Sequence, residues 1–349
     1  MREQIAYVLN DIYVVYMSIG QTQRARAALD EAQQLWRELG VLNILADNLA
    51  GAASLHVLAG EYDRALALSD EALRVSQSID NLWNQSYSLY MIDLVYMERG
   101  EMGRAIQVAE ECIRLAEQAG FLPALIQTRT ELAFIYGILG AFQRAFEMAE
   151  LTLAVAKGQS FLGMAGPTLP LAVVAYLHAL DGNLAEAEVL LAEAQSRLDA
   201  SGAVTGAAFF IGLADSQLAL AKKDYAHIVA GADAAIPMLR QTGIRLFFPD
   251  VLYLKGKALL GMSRTGEAWQ TLNEAHAEAE ATGSRRSLWS ILMALSEIEA
   301  QRGNQAEVQS LRRQVREIVE YIADHIGSPE LRASFLNLPD VREALAQAS

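Results

Sequence analysis

Apolar and small residues recur at helical spacing along the chain, and the clearest example lies between Leu58 and Leu73. Gly60 ends one helical pattern in this stretch, and Tyr62 begins another. The apolar or small positions of the second pattern are Ala65, Leu66, Ser69, Ala72 and Leu73. Steps of three and four residues place such positions on one face of a helix. The stretch therefore predicts the end of one helix, a tight turn and the start of the next.

The same pattern returns along the whole chain at a nearly constant interval. The turn positions are Gly20, Gly60, Gly100, Gly140, Gly182, Lys223, Ser263 and Gly303, with steps of 40, 40, 40, 42, 41, 40 and 40 residues. A second series of breakers lies between them at Gly40, Asp80, Gly120, Gly158, Gly202, Gly243, Gly283 and Gly327. Fixed-period similarity of this kind is typical of a solenoid, in which each unit packs only on its neighbours.

The two series predict an all-α solenoid of eight helical hairpins with a period of about 40 residues. The repeats are expected at 1–40, 41–80, 81–120, 121–160, 161–202, 203–243, 244–283 and 284–327. A capping helix is expected over 328–349, because Ser328 suits an N-cap and Pro329 the first helical position.

The two ends of the array differ in their patterns. In the tail, Leu331, Phe335 and Leu338 can cover the last repeat while charged residues between them face water. The first repeat begins its apolar pattern with no comparable cap, although a terminal repeat normally has a polar outer face. Two interpretations stay open: the chain continues a longer bacterial regulator whose preceding part covers this edge, or the edge forms a homodimer contact.

Composition narrows the functional classes. The chain has 349 residues and a formal charge of −14, which argues against direct binding to nucleic acid. Its apolar runs are too short to cross a membrane, and its amino terminus has no secretion signal. The single cysteine, Cys112, excludes an internal disulfide and fits a reducing compartment, so a cytoplasmic location is expected.

The repeats resemble the tetratricopeptide repeat (TPR) family. When Gly60 is aligned with the turn between the two helices of that repeat, Ala65 and Ala72 fall on its two alanines. Six of the eight units carry the first alanine and five carry the second. The period of about 40 exceeds the family's 34 residues, and the proline late in the family's repeat is missing from this chain. Long-period repeats of this sort look like the C-terminal sensor regions of large bacterial signalling ATPases and of maltose-regulator-type activators. The resemblance implies a right-handed solenoid that binds its ligand on a concave surface.

The sequence contains no recognisable catalytic centre. The phosphate-loop motif GxxxxGK[ST] and the zinc motif HExxH are both absent, and the five histidines have no metal-ligand spacing. No catalytic residue, metal site or cofactor is predicted, and the chain is expected not to be an enzyme.

The chemistry that remains is recognition. The concave positions implied by the family resemblance are Tyr7, Asn10, Asp47, Tyr87, Tyr90, Gln127, Thr130, Phe134, Tyr176, Phe210, Gln217, Asp250, Tyr253 and Lys257. Aromatic rings with polar groups between them are typical of binding grooves. Two hypotheses follow: a module that binds a protein or peptide in an open groove, or a small-molecule sensor, with an enclosed pocket, that controls a fused ATPase, cyclase or DNA-binding domain.

Overall fold

Helices account for all the regular structure in the computed structural model, which describes residues 1–157, 166–201 and 207–347; none of these residues lies in a strand. The first helices of the repeats are α1 (Arg2–Ser18), α3 (Leu42–Leu58), α5 (Leu82–Leu89) with α6 (Ile92–Glu98), α8 (Leu122–Ile138), α10 (Thr168–Leu180), α12 (Ala207–Ala221), α14 (Phe248–Gly261) and α16 (Arg285–Gln301). The second helices are α2 (Thr22–Leu39), α4 (Tyr62–Ser78), α7 (Met102–Ala119), α9 (Phe142–Ala156), α11 (Leu184–Ser201), α13 (Tyr225–Thr242), α15 (Thr265–Thr282) and α17 (Gln305–Asp324). The all-α hairpin prediction is confirmed, and we keep the proposed repeat numbering below.

The turns lie where the breaker residues predict them. All eight residues of the first series have left-handed backbone, including Lys223 at φ 60° and Ser263 at φ 61°. In the second series the six described residues do as well, and Gly158 and Gly202 lie outside the described residues. Left-handed backbone suits glycine because it has no Cβ, which explains why glycine fills most of these positions.

Small side chains at two fixed positions let the helices of each hairpin approach closely. The residue five positions after each turn is buried in all eight repeats, whether it is alanine, Ile228 or Val308. The residue twelve positions after the turn is buried in seven, and Ala235 is half-buried. Cys112 occupies one of these positions and is completely buried, which agrees with a packing role.

The first helix of repeat three is broken in two, which the hairpin pattern did not predict. Met91 has φ 63° and separates α5 from α6. Asp93 lies in the first turn of α6 and is completely buried. Left-handed backbone at a residue other than glycine interrupts the regular helical conformation, so a new helix begins after Met91.

The tail forms two short helices instead of one capping helix: α18 (Pro329–Leu336) and α19 (Pro339–Gln347). Ser328 caps α18 as expected, because its Oγ accepts the backbone N–H of Leu331 at 3.3 Å. Leu331 and Phe335 are buried, and so are Val341 and Ala344 of α19. The tail therefore covers repeat eight, as its apolar pattern predicts.

The superhelix closes on itself, so that its early turns contact its late connections. The contacts join Gly20 to Thr242, Gly60 to Thr282 and Gly100 to Ile322. Each spans 222 residues, or about five and a half repeats. Backbone bonds follow the same seam: the N–H groups of Arg245 and Leu246 donate to the Leu58 carbonyl at 2.8 and 3.1 Å. These long-range contacts turn an open array into an enclosed one.

Candidate functional site

The first helices line the inside of the superhelix, and the N-terminal part of this inner surface is filled by side chains that hydrogen-bond to or pack against one another, as the Tyr90 ring packs 5.7 Å from that of Tyr87. Asn10 donates to Asp47 at 2.8 Å and accepts from the buried Asn48 at 3.0 Å. The hydroxyls of Tyr13 and Tyr87 lie 2.9 Å apart. We call this the filled region; its members are Asn10, Tyr13, Asp47, Tyr87, Tyr90, Asp93, Gln127 and Glu131.

Two carboxyl groups of the filled region form a buried pair with no basic partner. Asp93 and Glu131 are completely buried, and Gln127 donates to Glu131 at 2.7 Å. Burial raises the pKa of Asp93 to about 7 and, together with the negative charge of Asp93, raises that of Glu131 well above its usual range. Both shifts favour the protonated forms of these carboxyl groups.

Four aromatic rings occupy the middle of the inner surface. Phe134 lies with its ring centre 5.2 Å from that of Tyr176 and 5.3 Å from that of Phe210. Phe247 completes the group at 5.9 Å from Phe134 and has left-handed backbone at φ 59°, which is uncommon for a bulky residue. Because Phe134 and Phe210 are buried in this cluster, they support the inner wall and do not present a free binding face.

A central cavity of about 560 Å³ lies beyond the aromatic cluster and is lined mainly by first helices and by the tail. Four of the predicted concave residues line it: Tyr176, Gln217, Asp250 and Tyr253. Further aromatic lining comes from Phe142 and Trp289, and further charged lining from Asp181, Arg286 and Asp340. Phe335, Leu338 and Pro339 of the tail form part of its wall.

Arg286 connects the cavity wall to the opposite turn of the superhelix. Its Nε donates to Glu98 at 2.8 Å, and its two Nη atoms donate to Asp250 at 2.8 and 2.5 Å. Ser284 also donates to Glu98. Burial raises the pKa of Glu98 and the nearby guanidinium opposes that shift. The arrangement is a buried ion cluster that joins α6, α14 and α16.

Several polar groups face the cavity without a protein partner. Within the described residues, the hydroxyls of Tyr176 and Tyr253, the Gln217 amide and the Trp289 indole N–H make no hydrogen bond. These side chains are half-buried. Burial raises the pKa of Tyr176 to about 12, so its hydroxyl stays protonated and able to donate. Polar groups in such positions are available to a bound ligand.

Three of the predicted concave residues lie outside the filled region, the aromatic cluster and the central cavity. The Tyr7 ring forms a T-shaped contact with that of Trp36, with the ring centres 4.8 Å apart, at the end of the first hairpin away from its turn. The Thr130 hydroxyl is buried and donates to the Ile126 carbonyl at 2.7 Å. Lys257 lies 4.0 Å from Glu297. These residues have structural surroundings, and the structure does not bring them to the cavity.

Comparison with known proteins yields a fold and no closer relationship. No family model matches the chain, and no curated protein matches it. The structure of a Rap protein complexed with Competence and Sporulation Factor is similar with a TM-score of 0.62 and 12% identity, over 93% of this chain and 100% of that one. A STAND ATPase with a tetratricopeptide repeat sensor, from Pyrococcus horikoshii, matches with a TM-score of 0.47 and 15% identity over 96% of this chain.

The chain has a tetratricopeptide-repeat fold. It spans half the length of the Pyrococcus horikoshii ATPase. The structure of a tetratricopeptide repeat protein from Parabacteroides merdae aligns over 99% of this chain and 99% of its own, at 13% identity and with a TM-score of 0.36.

The tetratricopeptide alignment found part of the cavity and missed the rest. Arg286 and Trp289 belong to repeat eight, for which no concave position was predicted, and Asp340 belongs to the tail. The buried carboxylates had a sequence signal, since Asp93, Glu98 and Glu131 interrupt otherwise apolar first helices. Charged residues at such positions are rarely buried without a partner, which marks them for attention.

A metal centre and a membrane span are not found among the described residues. No group of three or more His, Cys, Asp or Glu side chains is arranged to hold a metal ion in that part of the chain. Among all helices of the described residues, none is both long enough and apolar enough to span a bilayer.

Proposed function

We propose that this chain is a non-catalytic binding module that encloses a compact ligand inside its superhelix. The observation that carries the proposal is the central cavity. Its volume of about 560 Å³ falls within the range of roughly 300–1,000 Å³ that is usual for small-ligand sites. The cavity also combines aromatic area with unpartnered hydrogen-bonding groups, which gives both affinity and orientation.

The closed superhelix favours an enclosed ligand over a long protein segment in an open groove. The filled region and the buried rings of Phe134 and Phe210 occupy the inner surface on one side of the cavity. The remaining space suits a short peptide or a small molecule of similar size. The Rap protein complex supports this proposal, because that similar fold was crystallised with a bound factor.

A regulatory role follows if occupancy of the cavity is read by another domain of the same parent chain or by a partner protein. The ion cluster around Arg286 supports this extension, because it links the cavity to the far side of the superhelix. Homodimerisation stays a separate prediction. It is supported by exposed apolar residues on α1, including Val8 and Val15, and is checked by sedimentation of the full chain.

The proposal is tested with a variant whose larger side chain fills the cavity. Ser290 is half-buried and lines the cavity, so Ser290→Trp should occupy ligand space; Gln301→Trp is the control, at an exposed position on the same helix. Native mass spectrometry would screen a library of tri- to pentapeptides and small metabolites against all three proteins. We expect ligands that bind the parent and Gln301→Trp but not Ser290→Trp. Ligands that bind all three proteins equally, or an absence of ligands, would contradict the proposal.

A further inference from the structure

We infer that the ligand of the central cavity carries a positive charge on an apolar or aromatic body, with the charge placed between Tyr253 and Asp340. The inference rests on the proposed function and adds the chemical class of the ligand. Three carboxylates, Asp181, Asp250 and Asp340, line the cavity together with one guanidinium, that of Arg286.

The guanidinium is not available to an anion. Arg286 already makes charge-assisted bonds through Nε and both Nη atoms, to Glu98 at 2.8 Å and to Asp250 at 2.8 and 2.5 Å. Its side chain is only 11% exposed. An anionic ligand would have to displace one of these carboxylates and leave it buried without its partner, which is strongly unfavourable.

The carboxylate of Asp340 has the opposite character. It lies at the exposed mouth of the cavity, at the start of α19, and no basic side chain in the described residues pairs with it. Its charge reaches the cavity wall: after burial, the negative charges of Asp340, Glu297 and Asp250 further raise the pKa of Tyr253. A cation at this point would meet uncompensated negative charge.

The aromatic lining suits the same class of ligand. Tyr176, Tyr253 and Trp289 contribute rings to the cavity, and ring faces attract cations. Aliphatic side chains such as Leu213 and Leu254 complete the wall and would contact an apolar body. An organic ammonium with an aromatic or aliphatic group therefore uses both halves of the lining, whereas a small inorganic cation would use only one.

The experiment compares three probes that share one aromatic body and differ in charge. At neutral pH, 2-phenylethylamine is cationic, 2-phenylethanol is neutral and phenylacetate is anionic. Their dissociation constants for the full chain would be measured by ligand-observed NMR. We expect the amine to bind about tenfold more tightly than the alcohol, and phenylacetate to bind least. In Asp340→Asn we expect the amine's advantage to shrink to about twofold, since the adjacent negative charge is lost.

Two control variants separate the possible failures. Glu343→Gln removes one charge from the exposed side of the same helix and should leave the amine's advantage intact. Equal binding of all three probes to the parent, with exclusion by Ser290→Trp, would overturn the charge inference and leave the proposed function standing. No binding, or binding unaffected by Ser290→Trp, would overturn both. Survival of the amine's advantage in Asp340→Asn would show that Asp340 does not select the ligand.

Discussion

The filled region and the central cavity are built on equivalent first helices, yet their polar groups differ. Most of those in the filled region hydrogen-bond within the protein, whereas several of those around the cavity do not. In the filled region, Asn10 bonds to Asp47, Tyr13 to Tyr87 and Gln127 to Glu131. In the cavity, the Tyr176 and Tyr253 hydroxyls have no partner among the described residues. Buried polar groups are normally satisfied, so groups left unpaired around a space indicate where a ligand belongs.

The comparison also separates stability from recognition. Changes to the hydrogen-bonded groups of the filled region should alter the free energy of unfolding, because each of these groups has a partner to lose. Changes to the unpartnered groups of the cavity should alter binding with little effect on stability. The tail and the ion cluster are exceptions, since they both line the cavity and hold the superhelix closed.

Removal of residues 328–349 should have the largest effect. It uncovers repeat eight and removes the buried side chains of Leu331, Phe335 and Val341, each worth about 1.5–3 kcal/mol when fully buried. We expect a loss of about 5 kcal/mol or more, measured by urea unfolding, or aggregation measured by light scattering. Arg332→Ala, on the exposed side of α18, should change stability by no more than about 1 kcal/mol. A truncated chain as stable as the parent would show that the tail does not stabilise the array.

The local fold could be predicted from sequence because each element has a local cause. Gly60 and its equivalents supply left-handed turns, and Ala65 and its equivalents allow close helix packing. The closure of the superhelix could not be predicted. It depends on a small rotation per repeat that accumulates until Gly60 meets Thr282, and no single repeat displays that rotation.

For the same reason, only part of the candidate site could be predicted from sequence. Tyr176, Gln217, Asp250 and Tyr253 follow from their positions in the repeat and line the cavity. Asp340 reaches the same cavity only through the placement of the tail, and the Tyr13–Tyr87 bond joins residues 74 positions apart. Pairings of this kind depend on tertiary geometry, which explains why an alignment to the repeat could not tell filled positions from open ones.

Arg286→Met tests the ion cluster that connects the two turns. The variant leaves Glu98 and Asp250 without their cation, and loss of one partner from a buried ion pair typically costs about 3–5 kcal/mol. Urea unfolding measures the loss. The surface variant Arg264→Met, whose partner Glu267 is exposed, should leave the unfolding curve almost unchanged. Equal effects of the two variants would mean that the cluster does not hold the superhelix closed.

Glu131→Gln tests the carboxyl pair of the filled region through pH. The folded-state pKa of Asp93, about 7, lies above its ordinary value of 3.8, so the pair's contribution to stability is fully present below about pH 4 and is lost as pH rises through about 7. The variant keeps the bond from Gln127 and offers Asp93 a permanent donor. We expect it to be more stable than the parent at pH 8, because one of the two buried carboxyl groups can no longer ionise, and nearly equal to it at pH 4.

Urea unfolding at several pH values measures this difference. The exposed carboxylate of Glu110 provides the control, since Glu110→Gln should leave the pH profile of the parent unchanged. A Glu131→Gln chain that is less stable than the parent at pH 8 would show that the ionised pair is accommodated by other means.

The smallest effect gives the most direct test of the comparison, because it removes one hydroxyl from each region. Tyr13→Phe deletes the 2.9 Å bond to Tyr87 and leaves that buried hydroxyl without its partner, so it should cost about 1 kcal/mol of stability. Tyr253→Phe deletes a hydroxyl that has no protein partner and should leave the melting temperature within error. Titration with the amine probe should show the reverse order, with weaker binding in Tyr253→Phe and unchanged binding in Tyr13→Phe. If both variants lose the same stability, the Tyr253 hydroxyl is satisfied in the folded chain, and the distinction between a filled region and a ligand cavity fails at that residue.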